Sequence, residues 1–262
     1  MLAHVALLTA TNAVVRTLLA PVCAACGALL ARPLDGPVCA ACWRALPRLT
    51  PPCCIRCGDA LAAPGAGPHC VRCRRRPSVM ALSRSAGVYD GSLRRIVHAF
   101  KYDGRRVLAP RLAALMREAG ADLLAGADAV IPVPLHPWRA LRRGFNQADD
   151  LARALGPPVW RVLRRTRHGP PQAALPAARR HANVRAAFAL RLDKPWSARR
   201  LRNRSVVLVD DVMTTGATLE ACARVLTAAG VRRVIALTAA RAVAGPPRPR
   251  PPTPRPSIAP RR

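Results

Sequence analysis

The chain of 262 residues contains few acidic side chains and hardly any lysine. Aspartate and glutamate total 13 against 43 lysines and arginines, so the formal net charge is +30. Only Lys101 and Lys194 are lysines, and arginine therefore carries nearly all of the positive charge. A GC-rich coding sequence would explain arginine in place of lysine, but not the shortage of acids. The surplus indicates anionic partners such as phosphates, nucleic acid or a charged surface, and it says nothing about the fold.

Aromatic residues are also scarce, at 3% of the chain, whereas hydrophobic residues make up 51%. The chain can therefore bury a core, and that core must be built mainly from Ala, Val and Leu. The same scarcity leaves few of the aromatic platforms on which single-strand nucleic-acid binders usually stack bases.

Long hydrophobic runs are missing too. No apolar stretch approaches the roughly 18 residues that a membrane-spanning helix needs, which excludes such a helix. Asn12, Arg16 and Thr17 interrupt the apolar residues of segment 1–22, so a secretory signal is not indicated and we expect a cytoplasmic location. The spacing of the apolar residues instead predicts an amphipathic helix packed on the protein. These residues are Leu2, Val5, Leu8, Val15, Leu18 and Leu19.

The composition that remains divides the chain into four parts. We predict an N-terminal helix (residues 1–22), a cysteine module (23–78), an α/β domain (79–243) and a tail (244–262). The tail consists largely of proline and arginine, cannot bury a core and is predicted to be disordered.

Cysteine is concentrated in the second part as four CxxC pairs. Twelve residues separate the pairs within each half, and the second half repeats the first after 31 residues. Each CxxC places two thiolates on one tight turn, and two such turns make a tetrahedral zinc site. The eight candidate ligands are Cys23, Cys26, Cys39, Cys42, Cys54, Cys57, Cys70 and Cys73.

The spacing leaves several arrangements of these cysteines open. One zinc site per repeat is the simplest, but interleaved pairing, or one filled and one degenerate site, would use the same residues. A disulfide framework is the alternative for a secreted chain, and an iron–sulfur site is disfavoured by the spacing. Cys53 is a spare cysteine, His69 is a candidate substitute ligand, and Cys222 is interpreted as a small core residue.

The third part alternates apolar strands with helical stretches. Strands are predicted at Ala129–Val133, Val206–Val209 and Val234–Leu237, and helices at Asn146–Leu155 and Thr218–Ala229. The run Val206–Val209 is apolar throughout, as is typical of a central parallel strand. A strand, a helix and a strand within about 30 residues predict a right-handed βαβ unit in a parallel sheet.

The sharpest motif is the segment Val206–Thr218. Its strand delivers Asp210 and Asp211 to the carboxyl edge of the sheet, where α/β proteins bind ligands. The hydroxyl-rich turn that follows leads into a helix, and its backbone amides can wrap a phosphate. Two carboxylates suit ribose hydroxyls and a Mg²⁺ that keeps its waters. A strand that ends in two aspartates before a threonine cap also occurs at ordinary strand-to-helix junctions, but the run Thr214–Thr218 after the two acids disfavours that interpretation.

This motif resembles the phosphoribosyl-pyrophosphate motif of type I phosphoribosyltransferases, and the wider layout resembles the ComF family over residues 20–243. The resemblance implies an α/β type I phosphoribosyltransferase fold, a parallel sheet flanked by helices, behind a small zinc-ribbon module. It also implies a role in DNA uptake during natural transformation. The segments that carry it, besides the cysteine pairs, are Tyr89, Lys101–Tyr102, Asp128–Arg139, Arg143–Gln147, Gln172, Arg180–Val184 and Ala187–Phe188.

The resemblance also implies roles for single residues. Asp210 and Asp211 would hold the ribose hydroxyls and Mg²⁺. The 5-phosphate would be bound by the turn that consists of Thr214, Thr215, Gly216, Ala217 and Thr218. The pyrophosphate loop, expected after the first strand of the domain, would supply Leu135, His136 and Arg139.

Residues 166–188 match the flexible loop that closes over the ligand in this superfamily. Arg167, Arg179, Arg180 and Arg185 could stabilise a departing pyrophosphate there, and the family pattern singles out Arg180, with Asn183 beside it. Lys101 is either a further site residue or an exposed helix residue.

Three functions remain open at this point. The chain could transfer phosphoribose to an acceptor that the sequence does not name, or bind the same ligand as a sensor without catalysis. It could also bind single-stranded DNA with the site vestigial or regulatory, a hypothesis that the charge of +30 favours.

Overall fold

The computed structural model describes residues 2–49, 51–61, 67–166, 187–191 and 196–243. Within these ranges, no helix combines the length and the apolar composition needed to cross a membrane.

A four-stranded parallel sheet organises the larger part of the structure. The strand order is β1-β6-β5-β2, with β5 and β6 in the centre. The strands are β1 (Leu82–Ser85), β2 (Ala129–Pro132), β5 (Ser205–Met213) and β6 (Arg233–Arg241). A separate antiparallel pair consists of β3 (Leu163–Arg165) and β4 (Phe188–Leu190). The predicted α/β class with a parallel sheet is therefore confirmed.

The helices lie before and between these strands along the chain. In chain order they are α1 (Leu2–Leu19), α2 (Ala40–Arg44), α3 (Val71–Arg75), α4 (Gly91–Tyr102), α5 (Ala109–Ala119), α6 (Ala121–Ala125), α7 (Pro137–Arg143), α8 (Gln147–Arg153), α9 (Trp196–Leu201) and α10 (Ala217–Ala228).

Both faces of the sheet are covered, because the side chains of β5 alternate between two cores. Val207 and Val209 pack in the core that α4, α5 and α8 share. Val206 and Leu208 belong to the opposite core, which α10 and Leu201 complete. A strand buried on both faces must be apolar at successive positions, and this explains the uninterrupted apolar run in the sequence.

The strand β5 is longer than the sequence indicated. The apolar run ends at Val209, but pairing with β6 continues through Asp210 to Met213. Asp210 and Asp211 therefore lie within β5, near its carboxyl end, and not after it.

The N-terminal segment forms a helix, but of the predicted packing residues whose side chains are described, only Val15 is half-buried. Leu18 and Leu19 are 75% and 73% exposed. The helix is anchored at Asn12, which is buried and whose Oδ1 accepts from the backbone N–H of Leu34 at 3.1 Å. The amphipathic pattern correctly indicated a helix, whereas the contact that anchors it is polar.

Candidate functional site

The carboxyl edge of β5 brings two acids and one lysine together. Asp211 is buried, and its Oδ1 lies 2.8 Å from the Nζ of Lys101, which reaches over from α4. The backbone N–H of Asp211 donates to Oδ1 of Asp210 at 2.9 Å. The rare lysine of this arginine-rich chain is therefore a direct neighbour of Asp211 and not an exposed helix residue.

The environment of Asp210 disfavours its charged form. Burial raises the pKa of Asp210 to about 7, and the nearby charge of Asp211 acts in the same direction, against the opposing effect of Lys101. The Lys101 ammonium is paired with Asp211, so ionisation of Asp210 leaves an unneutralised negative charge beside this ion pair. A divalent cation bound between such groups would relieve that charge.

A tight turn follows the acids and opens into α10. Gly216, with φ of 77°, precedes the first residue of the helix. A side chain at this position would be strained, and its Cβ would meet the Cε of Met213 at 2.7 Å. Thr214 and Thr215 on the rim of the turn are exposed. The first N–H groups of α10 have no carbonyl partner one turn earlier in the helix, so this end of α10 favours an anion.

The predicted pyrophosphate loop lies on the same edge of the sheet. Pro132 pairs with Val209, so Leu135 and His136 follow β2 at the level where the acids follow on β5. The expectation that these residues come after the first strand of the domain was wrong, because β1 already belongs to the same sheet. His136 caps α7, and its side chain accepts from the N–H of Trp138 at 3.2 Å. Arg139 is exposed on that helix.

A second arginine lies close to Arg139. Burial lowers the pKa of Arg165, and the charge of Arg139 lowers it further. The Arg165 guanidinium packs over the ring of Phe188, with 5.3 Å between its Cζ and the ring centroid. Two positive charges close enough to repel each other favour an anion beside them.

Arg165 also stands where the predicted flexible loop departs. The backbone N–H of Thr166 donates to the carbonyl of Ala187 at 2.9 Å and closes the two ends of that segment. Arg180, together with Arg167, Arg179, Asn183 and Arg185, lies outside the described residues.

The eight predicted zinc ligands form two compact clusters, one from each repeat. The first consists of Cys23, Cys26, Cys39 and Cys42, and the second of Cys54, Cys57, Cys70 and Cys73. Interleaved pairing therefore does not occur among these residues. His69 belongs to neither cluster and accepts from Arg74 through its backbone carbonyl.

The geometry of both clusters fits zinc. A tetrahedron of sulfurs at about 2.3 Å from the metal has edges of about 3.8 Å. The Sγ atoms of Cys23 and Cys42 are 3.9 Å apart, those of Cys26 and Cys39 3.8 Å, and those of Cys57 and Cys70 3.7 Å.

Backbone amides favour the thiolate form at the first cysteine of each repeat. Burial acts to raise the pKa of Cys23, but backbone hydrogen bonds to the sulfur outweigh it and lower the pKa to about 6. The same balance lowers the pKa of Cys54 to about 6. Thiolates are the form that binds metal, so the clusters support structural zinc.

The remaining cysteines have other places. Cys53 lies next to the second cluster in sequence but is not one of its four members. Cys222 is fully buried in α10, as its interpretation as a core residue requires. Burial raises its pKa, with a further contribution from the charge of Asp210.

Sequence reasoning missed two arginines that surround the turn. Arg72 of α3 donates to the carbonyl of Thr215 at 3.3 Å, and Arg241 at the end of β6 donates to the Sδ of Met213 at 3.2 Å. Nothing in an arginine-rich chain distinguishes these two from surface arginines. Only the burial of Arg241, at 1% exposure, sets it apart.

Comparison with family models gives two matches. Residues 14–76 match the double zinc ribbon domain, and residues 140–252 match the phosphoribosyl transferase domain. The first match covers the two cysteine clusters, and the second covers β5 and β6 of the sheet.

Curated relatives carry related names. Competence protein F of Haemophilus influenzae is 35% identical over 166 residues, which cover 60% of this chain and 71% of the relative. DNA utilization protein YhgH of Escherichia coli K12 is 33% identical over 159 residues, covering 56% and 66%. Adenine phosphoribosyltransferase of Rhodococcus jostii is 34% identical over 130 residues, covering 50% and 62%.

Solved structures give weaker similarities. The allosteric regulatory enzyme of purine biosynthesis matches with 21% identity and a TM-score of 0.34, over 51% of this chain and 26% of its own. A hypoxanthine phosphoribosyltransferase from Staphylococcus aureus matches with 17% identity and a TM-score of 0.30, over 48% and 61%.

Proposed function

The chain belongs to the family of competence protein F, and from this premise we propose that it binds 5-phosphoribosyl-1-pyrophosphate with Mg²⁺ at the carboxyl edge of β5. One observation carries the proposal. Asp210 and Asp211 near the end of β5 are followed directly by the turn at Gly216 and then by the N-terminus of α10. Such an order would suit a cation, a sugar diol and a phosphate bound within one short segment.

Each part of the site suits one part of the ligand. Asp210 and Asp211 would accept from the ribose hydroxyls and hold Mg²⁺, whose preference is for oxygen ligands. The turn from Thr214 to Thr218 would bind the 5-phosphate through its N–H and hydroxyl groups. Leu135 and His136 would face the pyrophosphate from the end of β2.

The arginines at the rim suit the pyrophosphate end. Arg139 and Arg165 repel each other in the absence of an anion, so a bound diphosphate would stabilise both charges. Stabilising a departing pyrophosphate is what phosphoribosyl transfer requires of the protein. Arg180, proposed for the same role from the family pattern, would join them when the loop closes.

Two activities are compatible with such a site. The first is transfer of phosphoribose to an acceptor nucleophile, which is the activity that the matched domain is named for. The second is a sensor that binds the ligand and does not turn it over. Assaying pyrophosphate release against a panel of candidate acceptors separates the two, because a sensor releases none with any acceptor.

Calorimetric titration with phosphoribosyl pyrophosphate, with and without Mg²⁺, tests the binding proposal. We expect Mg²⁺-dependent binding, and a loss of roughly 100-fold or more in the variant carrying both Asp210→Asn and Asp211→Asn, because several charge-assisted contacts disappear together. Asp122→Asn, an exposed acid of α6, is the control that removes the same type of charge elsewhere. Equal affinity of the double variant and the control would place the ligand at another site.

We also propose single-stranded DNA as a partner. The relatives are named for competence and DNA utilization, and the net charge of +30 fits a polyanion.

Two exposed aromatic side chains support the same proposal. Trp138 of α7 is 67% exposed, and Tyr102 at the end of α4 is 59% exposed. Arg143 packs over the Tyr102 ring at 4.6 Å. Aromatic rings beside arginines bind bases and phosphates together. We expect the protein to act in the cytoplasm with the DNA-uptake machinery.

A further inference from the structure

The second zinc ribbon, which we define as residues 51–61 together with 67–76, touches the turn of the proposed ligand site. Arg72 forms the nearer link. Its guanidinium donates to the carbonyl of Thr215 at 3.3 Å and to the Sγ of Cys57 at 3.8 Å. It also lies 3.7 Å from a carboxylate oxygen of Asp59. One arginine therefore joins a zinc ligand to the backbone of the turn.

Arg241 forms a second link underneath the turn. Its guanidinium donates to the carbonyl of Cys57 at 2.8 Å, to the Sγ of Cys57 at 3.7 Å and to Asp59 at 3.1 Å. The same side chain donates to the Sδ of Met213. Met213 in turn fills the space in which a side chain at Gly216 would have to lie. The floor of the turn thus rests on the second ribbon through one buried arginine.

A third link joins the end of the ribbon module to the first turn of α10. Glu220 accepts from the hydroxyl of Ser78 and, at 3.2 Å, from the backbone N–H of Val79. The turn is consequently held by three contacts: Arg72 at Thr215, Arg241 at Met213, and residues Ser78 and Val79 at Glu220 of α10.

These links depend on the ribbon being folded. A buried guanidinium is costly unless its charge is matched, and the acceptors of Arg241 in the ribbon are Asp59 and both the carbonyl and the sulfur of Cys57. Zinc holds its cysteine ligands as thiolates, which are stronger acceptors for a guanidinium than neutral thiols. Zinc bound by the second cluster would therefore keep both arginines in place.

We propose that the second ribbon is the positioning element of the ligand turn, with Arg72 and Arg241 as the positioning residues. If the turn binds the proposed ligand, ligand affinity depends on zinc in the second cluster, and this consequence rests on the proposed function. The positioning of the turn by the ribbon does not depend on which ligand the turn binds.

Arg72 is the residue to test, because its side chain is 39% exposed and its removal leaves the core intact. We compare Arg72→Met with Arg75→Met, which removes the same charge from an exposed position of the same helix. Hydrogen–deuterium exchange of peptides covering 213–219 reports on the turn without any ligand. We expect faster exchange there in Arg72→Met only, with the zinc content of both variants unchanged.

Calorimetry with phosphoribosyl pyrophosphate and Mg²⁺ is the second readout. We expect Arg72→Met to weaken binding roughly tenfold, since one charge-assisted hydrogen bond that shapes the turn is lost, and Arg72→Lys to restore part of the affinity. If the wild type does not bind this ligand, the proposed function fails, and the exchange experiment still decides the positioning role. Equal exchange at 213–219 in the wild type and Arg72→Met overturns the inference, whatever the calorimetry shows.

Discussion

The two zinc ribbons share one cysteine spacing but join the α/β domain in different ways. The first ribbon is docked by apolar packing, since Cys23, Cys42 and Trp43 belong to the same core as Leu93 of α4. The second forms a small core of its own around its cysteines and is joined to the domain by the arginine contacts of Arg72 and Arg241.

The difference is visible at equivalent positions of the repeat. Trp43 of the first copy corresponds to Arg74 of the second, and Ala41 corresponds to Arg72. In the first copy, the ring of Trp43 packs in the core, and the Cζ of Arg111 lies 4.7 Å from the ring centroid. In the second copy, the guanidinium of Arg72 contacts the ligand turn at Thr215. The cysteines therefore determine the local fold of each ribbon, and the residues beside them determine what the ribbon does for the rest of the protein.

The largest expected effect is the loss of the apolar docking. Trp43→Ala should lower the free energy of unfolding by about 3–5 kcal/mol, because a large buried side chain is lost and a cavity remains. Arg74→Ala, the same repeat position in the second ribbon, should change it by less than about 0.5 kcal/mol. Denaturant unfolding measures both. Similar losses in the two variants would mean that the ribbons are docked alike.

The next effect separates the ribbons by ligand binding. Metal analysis should find zinc nearer to two than to one per chain in the wild type. Cys26→Ser and Cys57→Ser, at equivalent positions, should each lose about one zinc. Only Cys57→Ser should also weaken phosphoribosyl pyrophosphate binding by roughly tenfold or more, through Arg72 and Arg241.

Circular dichroism is needed alongside, to show that the sheet persists in both cysteine variants. A Cys26→Ser protein that is folded but no longer binds the ligand would contradict the division of roles between the ribbons.

A third comparison concerns the pH dependence of stability at the acidic pair. The pKa of Asp210 is about 7 in the folded protein and about 4 in an unfolded chain. The folded state therefore holds a proton more tightly, so this group favours folding below pH 4 and loses that contribution as the pH rises to 7. Without Mg²⁺, unfolding experiments should show this decline in the wild type and a flatter profile in Asp210→Asn. Parallel profiles would show that Asp210 titrates normally.

The smallest effect should come from the C-terminal tail. Deleting segment 244–262 removes five arginines. The affinity for single-stranded DNA should then fall less steeply with salt, because fewer phosphate contacts release counterions. Fluorescence anisotropy at several salt concentrations measures the slope. Asp210→Asn should leave this salt dependence unchanged if the DNA and ligand surfaces are separate. A wild-type protein that does not bind single-stranded DNA at low salt would rule out DNA as a partner.

Local patterns predicted a large part of this molecule. The CxxC spacing predicted the zinc clusters because two thiolates on one turn are a property of four consecutive residues. The segment Val206–Thr218 predicted a strand, a turn and a helix for the same reason. The pattern placed the end of β5 too early, since Asp210 and Asp211 interrupt the apolar run whereas pairing with β6 continues to Met213. It also implied a packed N-terminal helix, whose described leucines are in fact exposed.

By itself, the sequence determined the two ribbons, the parallel sheet class and the acidic pair with its turn, because each depends on backbone preferences and residue spacing over short stretches. Only the tertiary structure decided which distant side chains complete the site. Lys101 reaches Asp211, Arg72 reaches Thr215 and Arg241 reaches Asp59 across separations of 110, 143 and 182 residues. Among 43 basic side chains, composition marks Lys101 as one of two lysines, but it cannot distinguish Arg72 and Arg241 from the other arginines. The strand order β1-β6-β5-β2 places the ends of β5 and β6 side by side, and the docking of α4 and of the second ribbon brings the other partners to them.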